Sequence, residues 1–415
     1  MRNFLAKKSV FLHLVMLRFG IDHLSQLGEF TPLNHPRNDF DGEGKRKKIL
    51  IVGMSESPHL HNWIEGIADS GITSNVWLFP SDFPVHRYRN SKIKVKEFPY
   101  FIFGTSTNLA FRFFDILTNR LWRSYFLYRE IKRIKPTHIH FHETQHGAYL
   151  YNSIAKHPRN KFRGKLILST WGSDLIVYGK VKSHSIEVKQ TLSWVELLTS
   201  EREEDFEIAI ANGFQGKFLA PIYITVGNKK QELNLKQTSK RDLILIKGYQ
   251  DTHGRALNAL KSIERLHSMM DLNPFKIRVF SASESVRLQA ELLNDEIDIE
   301  VLPRMSKSDL MEYFKEARVY LGLAISDGLS TSMVEAMIYG AFPIQSQNSA
   351  APQLLVNGLS GGVVDPWSIQ EVTNLLKIAL TNDDLVDQAA ISNSQIIADK
   401  YSWDIGLSKL AEVYE

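Results

Sequence analysis

The sequence predicts an α/β protein built as two doubly wound units, and three observations carry that expectation. A chain of 415 residues normally divides into two domains, each able to bury its own core. Short apolar runs alternate with helix-patterned stretches in both halves, opening at residues 48–53 and again at residues 242–248. Between the halves, residues 227–241 are polar and lysine-rich with no sustained period, which marks a domain boundary. Hydrophobic residues make up 43% and charged residues 23%, the balance of a globular protein. The net charge of +4 does not argue for nucleic acid, although it permits a basic patch facing anionic lipid. There is no cysteine, so disulfides and thiolate metal sites are excluded, which fits a reducing compartment.

Residues 1–45 precede the first clear strand. Arg2, Lys7, Lys8 and Arg18 alternate with apolar residues, a pattern that fits an amphipathic helix lying on a membrane, a helix packed on the domain or a poorly ordered tail. The apolar run 10–17 is far below the roughly 18 residues that span a bilayer, and no small-residue cleavage site follows it. Residues 33–48 read as a linker.

The first domain opens with a buried strand ending at Gly53, a loop over residues 54–61, a helix over 62–70 closed by Gly71, and a strand over 75–79. In such a unit ligands bind at the C-terminal ends of the strands. The opening lacks Gly-x-Gly-x-x-Gly, which counts against a dinucleotide. Residues 107–135 mix aromatics with cations (Phe111, Arg112, Trp122, Arg123, Arg129 and Lys132 among them). Their apolar positions are too dense for a one-sided surface helix, so part is buried. The cations suit either phospholipid headgroups or a solvated face. Residues 136–143 form a strand whose alternation puts His138, His140 and His142 on one face. That placement fits metal ligands, and it equally fits one or two histidines hydrogen-bonding at the cleft while the rest satisfy backbone. A strand over 166–170 then ends in Trp171-Gly172-Ser173-Asp174, where Asp174 is also a candidate N-cap. A last strand over 196–199 leads into the acidic run 200–205 and a short helix.

In the second domain, the strand 242–248 is followed by the loop 249–255 and a helix to His267. A strand over 275–282 follows. Ser306-x-x-Asp309 is a capping box for a helix to residue 317, and an apolar strand over 319–325 comes next. That strand delivers the chain to Ser326-Asp327-Gly328, a strong turn signal. Ser330, Thr331 and Ser332 then offer N-cap oxygens to a helix ended by Gly340. Such a turn aims backbone N–H groups and a helix dipole into the space above the strand, which favours a phosphate. Asp327 and Glu335, with seven residues between them, are acceptors for neutral hydroxyls, and helical side chains lean back toward the N-terminus. Phosphate donors between hydroxyl-reading carboxylates suit a nucleotide sugar; the same spacing also fits the βα turn of any doubly wound domain.

Asp327-Gly-Leu-Ser-Thr-Ser-Met-Val-Glu335-Ala-Met resembles the carboxylate-x7-carboxylate signature of the retaining GT-B glycosyltransferases, glycosyltransferase family 4. The usual form is Glu-Gly-Phe-Gly-Leu-Pro-Leu-Leu-Glu-Ala-Met, so the first acid departs from it. Trp171 stands where the family often has histidine, and Tyr249 stands in a usual arginine place. Gly361-Gly362 and the segment from Tyr401 through Trp403 to Tyr414 resemble the family's closing turn and C-terminal tail.

The resemblance implies a GT-B fold, two Rossmann-like domains facing each other across a cleft. Residues 46–225 would be the acceptor side, 240–385 the donor side, and 386–415 a helical segment packing back across both. It implies Asp327 and Arg255 as catalytic residues, and Gly248, Lys247, Ser330, Thr331, Ser332 and Glu335 as donor-binding. His59, His142, Gly172 and Asp174 fall on the acceptor side. No metal and no cofactor are implied; the donor is a nucleotide sugar of UDP or GDP, and the acceptor a glycan or lipid-linked saccharide, as in bacterial surface-polysaccharide assembly. The expected location is cytoplasmic, with peripheral contact at an anionic membrane and no nucleic-acid partner. A sugar-nucleotide epimerase of the same fold and a non-catalytic nucleotide-sugar scaffold fit the same residues.

Overall fold

The structure, a computed structural model, describes residues 47–55, 57–73, 75–81, 96–97, 118, 120–158, 160–219, 221–222 and 235–415. The expected N-terminal helix (1–45), residues 107–117 with Phe111 and Arg112, and linker residues 227–234 lie outside them. The first unit contains strands β1 (Ile49–Gly53), β2 (Val76–Pro80), β3 (Lys96–Glu97), β4 (His138–His142), β5 (Lys165–Thr170), β6 (Leu197–Ser200) and β7 (Lys217–Phe218). Among the described residues they pair in parallel in the order β3-β2-β1-β4-β5-β6-β7. The second unit contains β8 (Leu243–Lys247), β9 (Lys276–Phe280), β10 (Ile299–Val301), β11 (Ala317–Gly322), β12 (Phe342–Ser346) and β13 (Gly362–Val364). These too are parallel, in the order β10-β9-β8-β11-β12-β13.

Both sheets reverse direction at a central pair, β1/β4 in the first and β8/β11 in the second. A doubly wound sheet opens a crevice beyond the strand ends at that pair. The central strands are buried along their lengths, which is why they read as continuous apolar runs rather than alternating ones. One core gathers Ile244, Ile246, Val319, Leu321 and Ile344 with helices α7 (Ala256–His267) and α11 (Ile369–Thr381). Another sets Ile49 and Ile51 against Trp63 and Ile64 of α1 (Pro58–Ser70).

Local sequence explains most of the boundaries. Helix α9 (Lys307–Glu316) is capped by Ser306, whose hydroxyl accepts from Asp309 N, as the capping box predicts. Helix α1 begins at Pro58, not at Asn62 as expected, because proline's fixed φ and missing N–H suit a first helical position. His59 therefore stands on the first turn of a helix rather than in a loop. Strand β11 is shorter than the expected 319–325. Residues 323–325 leave the sheet and pair instead with the loop after β8, through Arg255 N to Leu323 O (2.9 Å) and Ile325 N to His253 O (2.8 Å).

The C-terminal segment begins earlier and divides. Helix α12 (Asp383–Tyr401) packs on the second domain, burying Val386 and Ala389 in its core. Helix α13 (Trp403–Val413) crosses to the first domain and packs on α1. There the Trp63 indole N–H donates to Tyr414 Oη (2.9 Å), which also meets His140 Nδ1 at 2.7 Å.

A candidate donor site at the second domain's switch point

The reversal between β8 and β11 places Lys247 and Asp327 side by side. Lys247 ends β8, and Asp327 lies in the turn between β11 and helix α10 (Thr331–Ile338). Their charged groups are 3.6 Å apart, with side chains 21% and 29% exposed, so the pair faces the crevice. Burial would lower the Lys247 ammonium, but the Asp327 carboxylate, with Tyr320 and Tyr249, outweighs it and leaves the group above its ordinary range. Gly248 follows directly: a side chain there would meet Ala282 Cα at 2.6 Å, so the glycine lets the strand end pass close beneath the loop before helix α8 (Glu284–Leu293).

The helix start behaves as its residues predict. Ser330 is the N-cap, its hydroxyl accepting from Met333 N at 3.4 Å, and Gly340 ends the helix with φ +76°. Ser330 and Ser332 are buried, above the buried Tyr320, whose hydroxyl lies 3.5 Å from Ser330 Oγ. Thr331 opens the helix, half-buried. Glu335 meets Lys307 at 3.1 Å; its carboxyl is raised by burial, while the exposed Lys307 ammonium pulls the other way. Asp327, Lys247, Glu335 and the Ser330–Ser332 turn therefore share one end of the sheet.

Arg255 is not set against Asp327. Its guanidinium donates to Asp251 O (3.2 Å) and Gly254 O (2.5 Å) of its own loop and lies 4.6 Å from the Trp367 ring centre. The cation that faces Asp327 is Lys247.

Across the cleft, His59 is held below the usual imidazole range by burial; Asp327 raises it, and Lys247 and Lys307 lower it. Its ring thus lies in the field of the second domain's charges, and it packs edge-on to Trp171 (5.7 Å). Gly172 adopts φ +68°, and a Cβ there would lie 2.2 Å from Gly328 N, so the two domains touch backbone to backbone at this point.

Asp174 is buried and holds its own domain together. One oxygen accepts from Thr144 N (2.6 Å), Thr144 Oγ1 (2.6 Å) and Gln145 Nε2 (3.1 Å), and the other accepts from Trp171 N (2.6 Å). It is not the N-cap: Gly172 occupies that position before the short helix α4 (Ser173–Ile176). Burial raises its carboxyl while these hydrogen bonds work against the shift.

The β4 histidines differ from expectation, since no backbone group is their partner. His138 Nδ1 meets Thr137 Oγ1 (2.8 Å), and His140 Nε2 meets Ser169 Oγ (2.8 Å). His142 is fully buried with both ring nitrogens unpartnered, and burial holds its pKa down to about 3. It stacks 4.2 Å from His140 and 5.1 Å from Trp63. Sequence reasoning missed Glu201, a buried carboxylate that crosses the cleft to accept from Leu329 N at 2.7 Å. Its one signal was an acidic run directly after a strand end.

Two doubly wound sheets facing each other across a cleft define the GT-B class. Family models agree with this on both sides of the cleft. Residues 234–395 match "Glycosyl transferases group 1", and residues 48–201 match "Glycosyl transferase 4-like". The chain belongs to the GT-B glycosyltransferases of the family 4 type. No curated protein matches it in sequence. Among solved structures it is similar to a sucrose-phosphate synthase from Thermosynechococcus elongatus at 12% identity and TM-score 0.67, covering 89% of this chain and 98% of that one. A second, described as trehalose-6-phosphate from E. coli bound with UDP-2-fluoro glucose, shares 13% identity at TM-score 0.67, covering 89% and 99%. A third, Anabaena HepE in complex with UDP and glucose, shares 13% identity at TM-score 0.62, covering 88% and 98%.

Proposed function

We propose that this glycosyltransferase moves a sugar from a UDP or GDP donor, with retention of configuration, to a glycan or lipid-linked acceptor in bacterial surface-polysaccharide assembly. The observation that carries the reading is the Lys247–Asp327 pair at the second domain's switch point, with Glu335 on the helix that follows. Two similar structures are described with UDP or a UDP-sugar bound, which supports UDP as the leaving group.

The chemical task is to stabilise a departing nucleoside diphosphate and an oxocarbenium-like sugar. Lys247 and the amides of the Ser330–Ser332 turn would neutralise the leaving charge, a fixed electrostatic arrangement that needs little reorganisation during the reaction. Arg255 would add a second cation after releasing its own loop carbonyls. Glu335 would hold the ribose hydroxyls once Lys307 moves aside, and Asp327 would hold the sugar's. No metal or cofactor enters the scheme, and no side chain is assigned as a nucleophile. His59 would line the acceptor side, with Gly172 at the domain contact and the buried His142 and Asp174 bracing it from below. Peripheral contact with an anionic membrane would use the exposed cations of helix α2 (Leu121–Ile134), where Arg129, Lys132 and Arg133 face solvent.

A thermal-shift panel with UDP, GDP, ADP and their sugars tests the donor; UDP or GDP species should raise the midpoint and ADP species should not. Labelled donor incubated with and without a lipid-linked acceptor tests the reaction. Transfer giving a product of retained configuration supports the proposal, whereas turnover that needs no acceptor would mark an epimerase instead.

A further inference from the structure

We infer that Glu201 is a positioning residue: reaching from the acceptor-side domain, it seats the Asp327 turn and so ties the aim of the donor-side acid to closure of the cleft. Glu201 follows β6 in the first domain and is buried. Its Oε2 accepts from Leu329 N at 2.7 Å, two residues beyond Asp327. A Cβ on Gly328 would stand 2.1 Å from that same oxygen, so the carboxylate can take this place only because residue 328 has no side chain. On the other side of the turn, Gly172 lies against the Asp327–Gly328 peptide, and Ser173 Oγ meets Ser326 Oγ at 3.1 Å. The turn is therefore gripped from two sides by the first domain.

Neighbouring groups extend the grip. Asn348 O accepts from Asp327 N (3.0 Å) and also from Arg202 Nη1 (3.3 Å), so the residue after Glu201 shares an acceptor with the acid itself. The Gln353 amide, oriented to satisfy both its ends, donates to Glu201 O (3.2 Å) and accepts from Glu203 N (2.8 Å). Behind the loop, Ser200 Oγ donates to the buried Asp205 carboxylate and accepts from Arg202 N at 3.2 Å. Glu201 thus sits on a braced loop of one domain and holds an amide of the other. Opening the cleft would break this bond and release the turn, leaving Asp327 correctly aimed only in the closed enzyme.

The inference rests on the reading of Asp327 as the donor-side acid, so nucleotide binding and turnover of the unaltered protein are measured first. If these fail, the donor reading fails, whatever Glu201 does. In the variants, Glu201→Ala should lower kcat on the order of 10- to 100-fold, with UDP affinity and donor KM within about threefold of the unaltered enzyme. Glu201→Gln keeps an oxygen that can accept from Leu329 N and should restore most of the loss. Gly328→Ala should match Glu201→Ala, because its methyl displaces the carboxylate. The double variant should then be no slower than either single one, since the collision has lost its partner.

A second readout needs no nucleotide. The chain has no cysteine, so Ile186→Cys and Leu292→Cys, both at exposed positions, give unique label sites on the two domains. Glu201→Ala should widen the inter-label distance distribution in the free protein. Unchanged kcat and an unchanged distribution would overturn the inference. Additive losses in the double variant would overturn it too, as would tighter UDP binding at unchanged kcat, the mark of a plug that competes with the donor.

Discussion

The two switch points are built on the same topology and hold opposite electrostatics. In the first domain the floor beneath the crevice is neutral: His140 and His142 are buried imidazoles kept uncharged, and Asp174 is enclosed by four hydrogen bonds from its own domain. In the second domain Lys247 and Asp327 form an ion pair at the crevice wall, and Glu335 pairs with a solvent-facing lysine. On the proposed reading, a departing diphosphate would develop charge on the donor side, where preorganised charge is useful, and the acceptor side would recognise neutral hydroxyls and shed water. Identical strand order therefore does not imply equivalent chemistry at corresponding strand ends.

Four measurements would sharpen or break that contrast, and acid titration carries the largest effect. Burial depresses His138 to about 4, His142 to about 3 and His140 well below its usual value, so the folded protein keeps all three neutral while the unfolded chain protonates them below about 6.5. Their contribution to stability is present above that pH and is lost as pH falls. Asp205, raised by burial to about 6, acts in the opposite sense: between about 4 and 6 the folded state holds its proton and the unfolded state does not. Over these four groups the difference is about two protons, a stability loss of roughly 2.7 kcal/mol per pH unit between pH 6 and pH 4; the raised carboxyls of Asp174 and Glu335 work against it and the lowered His59 adds to it. Urea midpoints against pH measure the slope. A profile that His142→Phe does not flatten by about one proton would contradict the neutral floor.

Asp327→Ala comes next. The expected loss in kcat/KM is about 10²- to 10³-fold, the scale of losing one preorganised transition-state contact, with the melting temperature nearly unchanged. Asp174→Ala should do the reverse. Removing a buried acceptor of four hydrogen bonds strands donors around Thr144 and Trp171 and should cost about 2–4 kcal/mol of stability by chemical denaturation. An Asp174→Ala protein that kept its stability and lost only turnover would make the two acids equivalents after all. The smallest effect belongs to Lys307→Ala. The Lys307 side chain is 78% exposed, so losing its ion pair with Glu335 should change stability by under about 1 kcal/mol, and calorimetry should show nucleotide affinity within a few-fold of the parent.

Much of the scaffold was legible because its causes are local. Apolar runs announced β1, β8 and β11; Ser306 and Ser330 announced their helices through oxygens that the structure places on backbone amides; and Gly340 announced a helix end. Pro58 carried a local signal too, and reading it would have started α1 at the right residue. What remained hidden depends on approach through space. Asp174 and Asp327 both follow a strand in a Gly-containing turn. Only the packing of the Thr144–Ala148 segment over the first, and the nearness of Lys247 to the second, separates a brace from a candidate reacting group. Glu201 was invisible for the same reason, since its partner amide lies 128 residues away in another domain.

The bond from Trp63 to Tyr414 closes a loop of 351 residues, and Leu410, Val413 and Tyr414 belong to the core around β1. On a ribosome the first domain is therefore the first to emerge and the last to be completed. At about 5–20 residues per second, roughly 20–70 s separate the appearance of Trp63 from that of its buried partner. Through that interval the face of α1 that α13 later covers lacks its partner, and cutting the chain at the domain boundary would leave this core permanently short of its final helix.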